Sequence, residues 1–374
     1  MTTLRDVAAL ARVSAMTVSN VVNGREEKVS AATAERVRAA IDELGYVPNA
    51  QARALAGASS RIIALVYSVP GTGPALAGGH SSVFVGACEQ ACQEADHTLM
   101  LCSTRGAAGP VRPEELRDRL RAWNVAGVIV LGGVPVSLRS PLGELDVPVV
   151  LIDDYGGDGS PDGADGEVDG GLRVNIDDLG GGRQAGERIA GLGHRAVAVV
   201  GPLSVGSPVV EARLRGLRQG LADPTPPGGG DPARIELVDV PEGFEAGVRA
   251  GQSLGDRMRE ARDAASGTGH DEPVTAVFAT SDVLALGVVA GLRRAGLEVP
   301  RDVSVVGFDG FEVSTYCDPP LTTVCQPIGD KAARAVELLT DRPAPPGTCV
   351  VLPVSWREGG TLAPAPDPGA PPSS

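Results

Sequence analysis

Residues 3–24 read TLRDVAALARVSAMTVSNVVNG, and residues 26–57 follow with EEKVSAATAERVRAAIDELGYVPNAQARALAG. The first stretch starts with Thr3 and places Asp6 three residues on. That is the spacing of a capping box, with an acid in place of the usual Glu. Leu4, Val7, Ala8 and Ala11 then lie on one apolar face at helical spacing. Arg12-Val13 turns the chain, and Ser14 can cap a second helix whose buried side is Val18, Val21 and Val22. Asn23-Gly24 ends that helix, because both residues tolerate the left-handed conformation a helix stop requires. Ser30 is placed to cap a third helix carrying Val37, Ile41 and Leu44, which Gly45 stops. Two short helices joined by a tight turn and braced by a third make a helix-turn-helix.

The second helix has a polar face suited to DNA. Ser14, Ala15, Met16, Thr17, Ser19 and Asn20 lie at its N-terminal end or on its outer side, the part of such a helix that enters a major groove. Asn20 can pair with a base edge through both its amide groups, and Thr17 and Ser19 suit phosphate oxygens. Ala15 and Met16 offer shape and apolar contact. Pattern alone leaves open an ordinary three-helix cap on a larger domain.

The same residues resemble the headpiece of the lactose-repressor (LacI/GalR) family of bacterial transcription regulators, without a gap across the first 57 residues or so. VS..T...V..A...LGYVPN.QAR.LAG continues that resemblance beyond the third helix. It implies that Thr3, Asn23, Asn49 and Arg53 also belong to the DNA-binding set. It further implies a hinge helix over 49–56 lying in the minor groove, with Leu55 wedging a base step.

The chain has 374 residues, enough for two or three domains. Its net charge of −14 is unevenly spread. Residues 1–60 hold seven Lys/Arg against six Asp/Glu, or +1, which leaves −15 on the remainder. An acidic body repels the DNA backbone and confines contact to the headpiece. No apolar run reaches membrane-spanning length, so no membrane partner is expected. MTTLRDVAALAR lacks an apolar signal segment, from which a cytoplasmic location is expected. Cys88, Cys92, Cys102, Cys317, Cys325 and Cys349 show no metal-ligand spacing, and buried reduced thiols are expected. No metal and no cofactor is expected.

From Arg61 onward, apolar runs alternate with helical segments. The runs are RIIALVYSV, HTLMLCS, GVIVLG, VPVVLID, AVAVVGP, RIELVDV, TAVFATS and DVSVVGFD. The helical segments are VFVGACEQACQEA, PEELRDRLRAW, DDLGGGRQAGERIAGLG, VVEARLRGLRQGL and SDVLALGVVAGLRRAG. Such alternation predicts parallel sheets covered on both faces. The expected fold is thus a small all-α headpiece plus an α/β domain of two doubly wound parallel-sheet lobes with a ligand cleft between them. GLGHRAVAVVGP, PPLTTVCQP and LPVSWREGGTLAP look like landmarks of the family's regulatory domain, which is similar to periplasmic binding proteins and generally dimerises. By that resemblance the chain crosses between lobes near Arg173, Gln326 and Val351. The expected divisions are a headpiece over 1–46, a hinge over 47–60, an effector-binding and dimerisation domain over 61–360, and a disordered Pro-rich tail over 361–374.

Residues 156–171 (GGDGSPDGADGEVDGG) read as an acidic surface insertion without the ligand spacing of a calcium loop. GTGPALAG lacks the third glycine of a dinucleotide loop. No nucleophile–base arrangement stands out, so no enzyme is expected, and His194 reads as a cation at a helix C-terminus. The resemblance places the family's ligand-binding arginine at Arg213 and effector contacts at Asp153, Ser281, Asp282, Asp309 and Gln326. Asp309 ends an apolar strand at the edge where open α/β sheets bind ligands. Asp282 reads equally as a helix N-cap. Where relatives often carry an aromatic, this chain has Glu242, with Phe244 nearby, which leaves a sugar and a more polar effector both open. The expected protein is a homodimeric, effector-controlled repressor of a pseudo-palindromic double-stranded operator. The alternative is a sugar-binding module without DNA function.

Overall fold

The computed structural model describes residues 2–22, 26–46, 60–67, 79–106, 109–132, 136–155, 171–222, 233–264, 273–341 and 344–366. Asn23, Asn49, Arg53 and Leu55, the expected hinge helix, the GTGPALAG stretch and residues 156–170 of the insertion lie outside them.

Three helices form the N-terminal unit: α1 (Leu4–Ala11), α2 (Ala15–Val22) and α3 (Ala31–Leu44). The Thr3–Asp6 capping box is formed in both directions, and Arg12 closes α1 in the left-handed conformation with φ 53°. Ser14 caps α2 by accepting from the Thr17 amide at 3.1 Å. Ser30 occupies the cap position of α3 and its carbonyl takes the first helical amides, but its hydroxyl turns to Thr33 Oγ1 (2.9 Å) and caps no amide. Val7, Ala8, Ala11, Val18, Val21, Ala34, Val37 and Ala40 form the buried core of this unit. Val22, Ile41 and Leu44 pack against it only half-buried.

The rest of the described chain builds two six-stranded sheets. The first runs β13-β7-β6-β5-β1-β2, entirely parallel, from β1 (Ile62–Tyr67), β2 (Thr98–Ser103), β5 (Gly127–Leu131), β6 (Val149–Ile152), β7 (Leu172–Ile176) and β13 (Cys349–Leu352). A small hairpin, β3 (Arg105–Gly106) with β4 (Gly109–Pro110), stands apart from it. The second sheet runs β14-β12-β11-β10-β8-β9 from β8 (Ala196–Gly201), β9 (Arg234–Asp239), β10 (Ala276–Ala279), β11 (Ser304–Asp309), β12 (Thr322–Cys325) and the antiparallel edge β14 (Ser355–Arg357). The central strands β5, β6, β8, β10 and β11 are buried at every position, the burial that parallel sheets covered on both faces impose.

On the first sheet, α4 (Gly79–Glu94) and α11 (Ile328–Thr340) cover one face through Phe84, Cys88, Ala332 and Leu339. α5 (Pro113–Ala122) and α6 (Val136–Gly143) cover the other through Leu116, Leu120 and Leu138. On the second sheet, α7 (Asp178–Gly191) and α8 (Pro208–Ala222) pack Ile189 and Leu217 on Phe278 and Phe308. α9 (Phe244–Ala264) and α10 (Asp282–Arg294) take the opposite face with Leu254 and Leu284. Each of the Leu, Ile and Phe side chains among these contributes ~1.5–3 kcal/mol on burial.

The chain passes between sheets three times: after Ile176, after Cys325 and after Leu352. Arg173 and Val351, the residues expected near two of these crossings, sit inside β7 and β13 a few residues before the passages. Two further expectations are corrected. The chain beyond 360 is not a free tail, because Thr361 is fully buried and bonds to the Thr322 amide and Val305 carbonyl, and Ala363 donates to Ser304 Oγ. Only 367–374 of that segment lies outside the described residues. Cys88, Cys92 and Cys102 are buried as expected, with burial pushing the Cys92 thiol up to about 11, but Cys349 is exposed at the sheet edge.

Candidate functional site

α2 presents the face expected to read DNA. Ser14, Ala15 and Met16 are exposed, Met16 at 70%, while Thr17, Ser19 and Asn20 are half-buried around the rim of the same face. The Thr17 hydroxyl lies 2.9 Å from Ser14 Oγ, so its availability to a phosphate is shared with the cap.

The larger site lies where the carboxyl ends of the two sheets meet the crossings. Arg213 on α8 is buried, not a surface charge. Its Nε donates to Asp178 Oδ1 at 2.6 Å and its Nη1 to the Thr280 carbonyl at 2.6 Å. Its guanidinium lies 3.7 Å over the Phe308 ring. Nη1 is also 3.8 Å from Asp309 Oδ1, at the end of β11. Asp178 takes a second hydrogen bond from the Tyr155 hydroxyl. Gln326, at the second crossing, donates from Nε2 to Asp309 at 2.6 Å and accepts from Lys331 Nζ at 3.1 Å. Lys331 on α11 in turn donates to both Asp153 oxygens at 3.0 Å. Asp153 follows β6 with φ 56°, a left-handed conformation uncommon for a side-chain-bearing residue. One chain of polar contacts therefore runs His80–Lys331–Asp153 in the first lobe, through Gln326, to Asp309–Arg213–Asp178 in the second, and Tyr155, which follows β6, closes it from the first-lobe side.

The electrostatics follow from burial and pairing. Burial works against the charge on Arg213, but Asp178 and Asp309 hold its guanidinium above the ordinary value. Burial raises Asp178 despite Arg213 beside it. Asp309 is raised well above the usual carboxylate range, first by burial and then by Asp282 and Glu242, with Arg213 opposing. Burial also acts to raise Asp153, yet the Lys331 ammonium, by its charge and its hydrogen bonds, holds it below its ordinary value. His80 is pulled down to about 3 by burial and by Lys331, so its neutral Nε2 accepts the Lys331 proton at 3.1 Å.

Asp153, Arg213, Asp309 and Gln326, named from the sequence, thus come together. Ser281 adjoins them at one remove: it caps α10 by accepting from the Leu284 amide, and it donates to Glu242 Oε1 at 2.5 Å. Asp282 is a correction. It is not the cap, a place Ser281 takes, and its fully buried carboxylate accepts from the Phe311 amide (2.8 Å), Ser314 Oγ (3.0 Å) and Thr323 Oγ1. His194 is a second correction. Burial lowers its pKa, and its ring joins Thr275 Oγ1 (3.0 Å) to the Ala363 carbonyl (2.9 Å) as a neutral strut, not as a helix-end cation.

Sequence reasoning missed Lys331, His80, Asp178 and Tyr155. A lysine and a histidine on amphipathic helices give no sign of which side they face, and Tyr155 borders the Gly/Asp-rich insertion. Asp178 carried one usable signal, the Asp177-Asp178 pair opening a glycine-rich helix whose cap is Asp177, accepting from the Gly180 amide at 2.7 Å.

A model of bacterial regulatory proteins of the lacI family matches residues 3–49, and one of periplasmic binding protein-like domains matches 187–362. The HTH-type transcriptional regulator CelR of Thermobifida fusca is 36% identical over 347 residues, 91% of each chain. The ribose operon repressor of Escherichia coli is 31% identical over 349 residues, 91% of this chain and 93% of that one. Among solved structures, the lac repressor dimer bound to operator and an anti-inducer superposes with a TM-score of 0.72, at 27% identity over 97% of this chain and 99% of that one. A CelR–cellobiose complex gives 0.61, at 31% identity over 97% of this chain and 100% of that one.

Proposed function

The chain belongs to the lacI family of bacterial regulatory proteins, a family of transcriptional regulators, and from that premise we propose that it is a homodimeric repressor, without enzymatic activity, that releases or grips a pseudo-palindromic operator according to a small polar metabolite held between its lobes. Relatives are named for repression of a ribose operon and have been solved with cellobiose or with ribose. That supports a sugar or sugar-like effector here. Asn20, with Ala15, Met16, Thr17 and Ser19 around it, is assigned to base and phosphate contact. Arg213, Asp309, Gln326 and Asp153 are assigned to the effector.

The observation that carries effector control is the unbroken polar chain from Asp153 to Asp178, because it spans both lobes and passes through a crossing. A ligand acts on a remote DNA face only by contacting two states differently. Groups that already bridge two lobes change their partners when the lobes move, so they give a ligand that leverage.

The test is capture of genomic DNA fragments by the purified full-length protein, followed by gel shifts on the captured site. Asn20→Ala is expected to lose ~1–3 kcal/mol on that site and little on random DNA. Absence of any preferred fragment sinks the regulator reading, and equal losses on both DNAs reduce Asn20 to a positioning role.

A further inference from the structure

The cleft holds a second cation whose role the family pattern leaves unassigned. Lys331 has no exposed surface and sits on α11 among apolar neighbours of the first-lobe core, with Ala332 and Ala335 beside it on the helix. A cation persists in such a place only when paired and fully hydrogen-bonded. Its three ammonium protons meet four acceptors: Asp153 Oδ1 and Oδ2 at 3.0 Å, Gln326 Oε1 at 3.1 Å and His80 Nε2 at 3.1 Å. Asp153 and Gln326 are two of the residues the resemblance assigns to the effector, and Lys331 draws on the acceptor oxygens of both.

The second-lobe end is balanced differently. There Arg213 faces Asp178, Asp309 and Glu242, three acids around one guanidinium. Asp309 lies 3.8 Å from Arg213, and Glu242 takes its hydrogen bond from the neutral Ser281 hydroxyl. Beside them the Thr280 hydroxyl is buried and has no partner. By strand alternation its side chain falls on the same face of the sheet as Phe278, the face that α8 covers. Hydroxyl donors brought by a ligand find the carboxylate acceptors of Asp309 and Glu242 at this end.

Resting on the effector reading of the cleft, we propose that Lys331 is a specificity-determining residue: its ammonium occupies acceptors of Asp153 and Gln326, limits the hydroxyls those two residues can take from a ligand, and shifts recognition toward Arg213, Asp309 and Glu242. A structural ion pair, when cut, loses stability and binding together. A residue that excludes ligand groups, when removed, yields a gain.

The experiment is calorimetric titration of the full-length protein with two neutral probes, ribose and cellobiose. Lys331→Met keeps the unbranched stem and removes the ammonium, and is expected to bind at least one of the two sugars about tenfold or more tighter than wild type does. Lys331→Arg retains a cation and is expected to stay at the wild-type level. The double variant Asp153→Asn with Lys331→Met removes both charges together, and it carries the test if the single variant does not melt cooperatively. A gain in neither methionine variant overturns the proposal, as does an equal gain in Lys331→Arg. Operator capture by the wild-type protein does not involve Lys331, so its success beside a failed sugar gain leaves the regulator reading standing and removes this inference alone.

Discussion

Glu242, solvent-accessible yet crowded against Ser281, shows what partial desolvation costs an acid. Desolvation holds its carboxyl above the ordinary value of 4.5. Between that value and its raised one, the native chain keeps a proton that the unfolded chain has released, so this residue's contribution to stability is lost as pH rises. Glu242→Gln keeps an acceptor for the Ser281 hydroxyl and cannot ionise. Its melting temperature is expected to exceed the wild-type value by a margin that widens from pH 4.5 upward, and parallel melting curves across that range would refute the assignment. The three protein donors on Asp282 predict a structural role for it. Asp282→Ala orphans the Phe311 amide and the Ser314 and Thr323 hydroxyls, and is expected to cost about 3 kcal/mol in denaturant unfolding. Unchanged stability with weakened effector binding would return Asp282 to the ligand. The difference in legibility between these residues is physical. Asp309 sits where an apolar strand ends, and strand ends are visible in a sequence. Whether Asp282 or Ser281 caps α10, and which protein groups fill the other, depends on a turn at 311–314 that is distant in sequence.

At the scale of elements, Arg213 is placed by the approach of two helices. A Cβ on Gly182 of α7 would lie 2.1 Å from the Arg213 carbonyl, and one on Gly216 of α8 would lie 2.0 Å from the Leu179 carbonyl. Backbone contact this close is possible only where both helices lack a side chain, so the glycines set how deep the guanidinium reaches. Gly182→Ala has to push α8 outward. It is expected to cost about 1–3 kcal/mol and to abolish the effector's influence on operator binding, while the operator affinity of the ligand-free protein persists. Retained effector response in gel shifts would show that Arg213 reaches its partners by another route. DDLGGGRQAGERIAGLG was readable as a helix from its flanks, yet its glycines lower helix propensity and say nothing by themselves of a crossing partner. The near-continuous apolar strands were readable for the same reason that they are buried. β7, β12 and β14 were not, because LRVNI, TTVC and SWR mix polar and apolar positions at the margin of each sheet, and β13 was not, because CVVL is only four residues long.

For the molecule as a whole, the two-lobed plan was legible from the count of alternating units, and the passages between lobes were legible only to within a few residues. The charge distribution was fully legible, since +1 on the first 60 residues and −15 beyond them is a property of composition. Field repulsion between such a body and a polyanion favours docking headpiece-first. The three passages also decide the order in which the protein can be completed. The first lobe is begun at Ile62, but its covering helix α11 and its edge strand β13 are supplied only by residues 328–352, after all but one strand of the second sheet. On the ribosome, then, the lobe started first is finished late. While the second lobe assembles, Phe84 and Cys88 wait uncovered and β7 waits without its neighbour, so nascent chains arrested before residue 328 expose a sticky half-built core that chaperones and proteases would meet before any operator does.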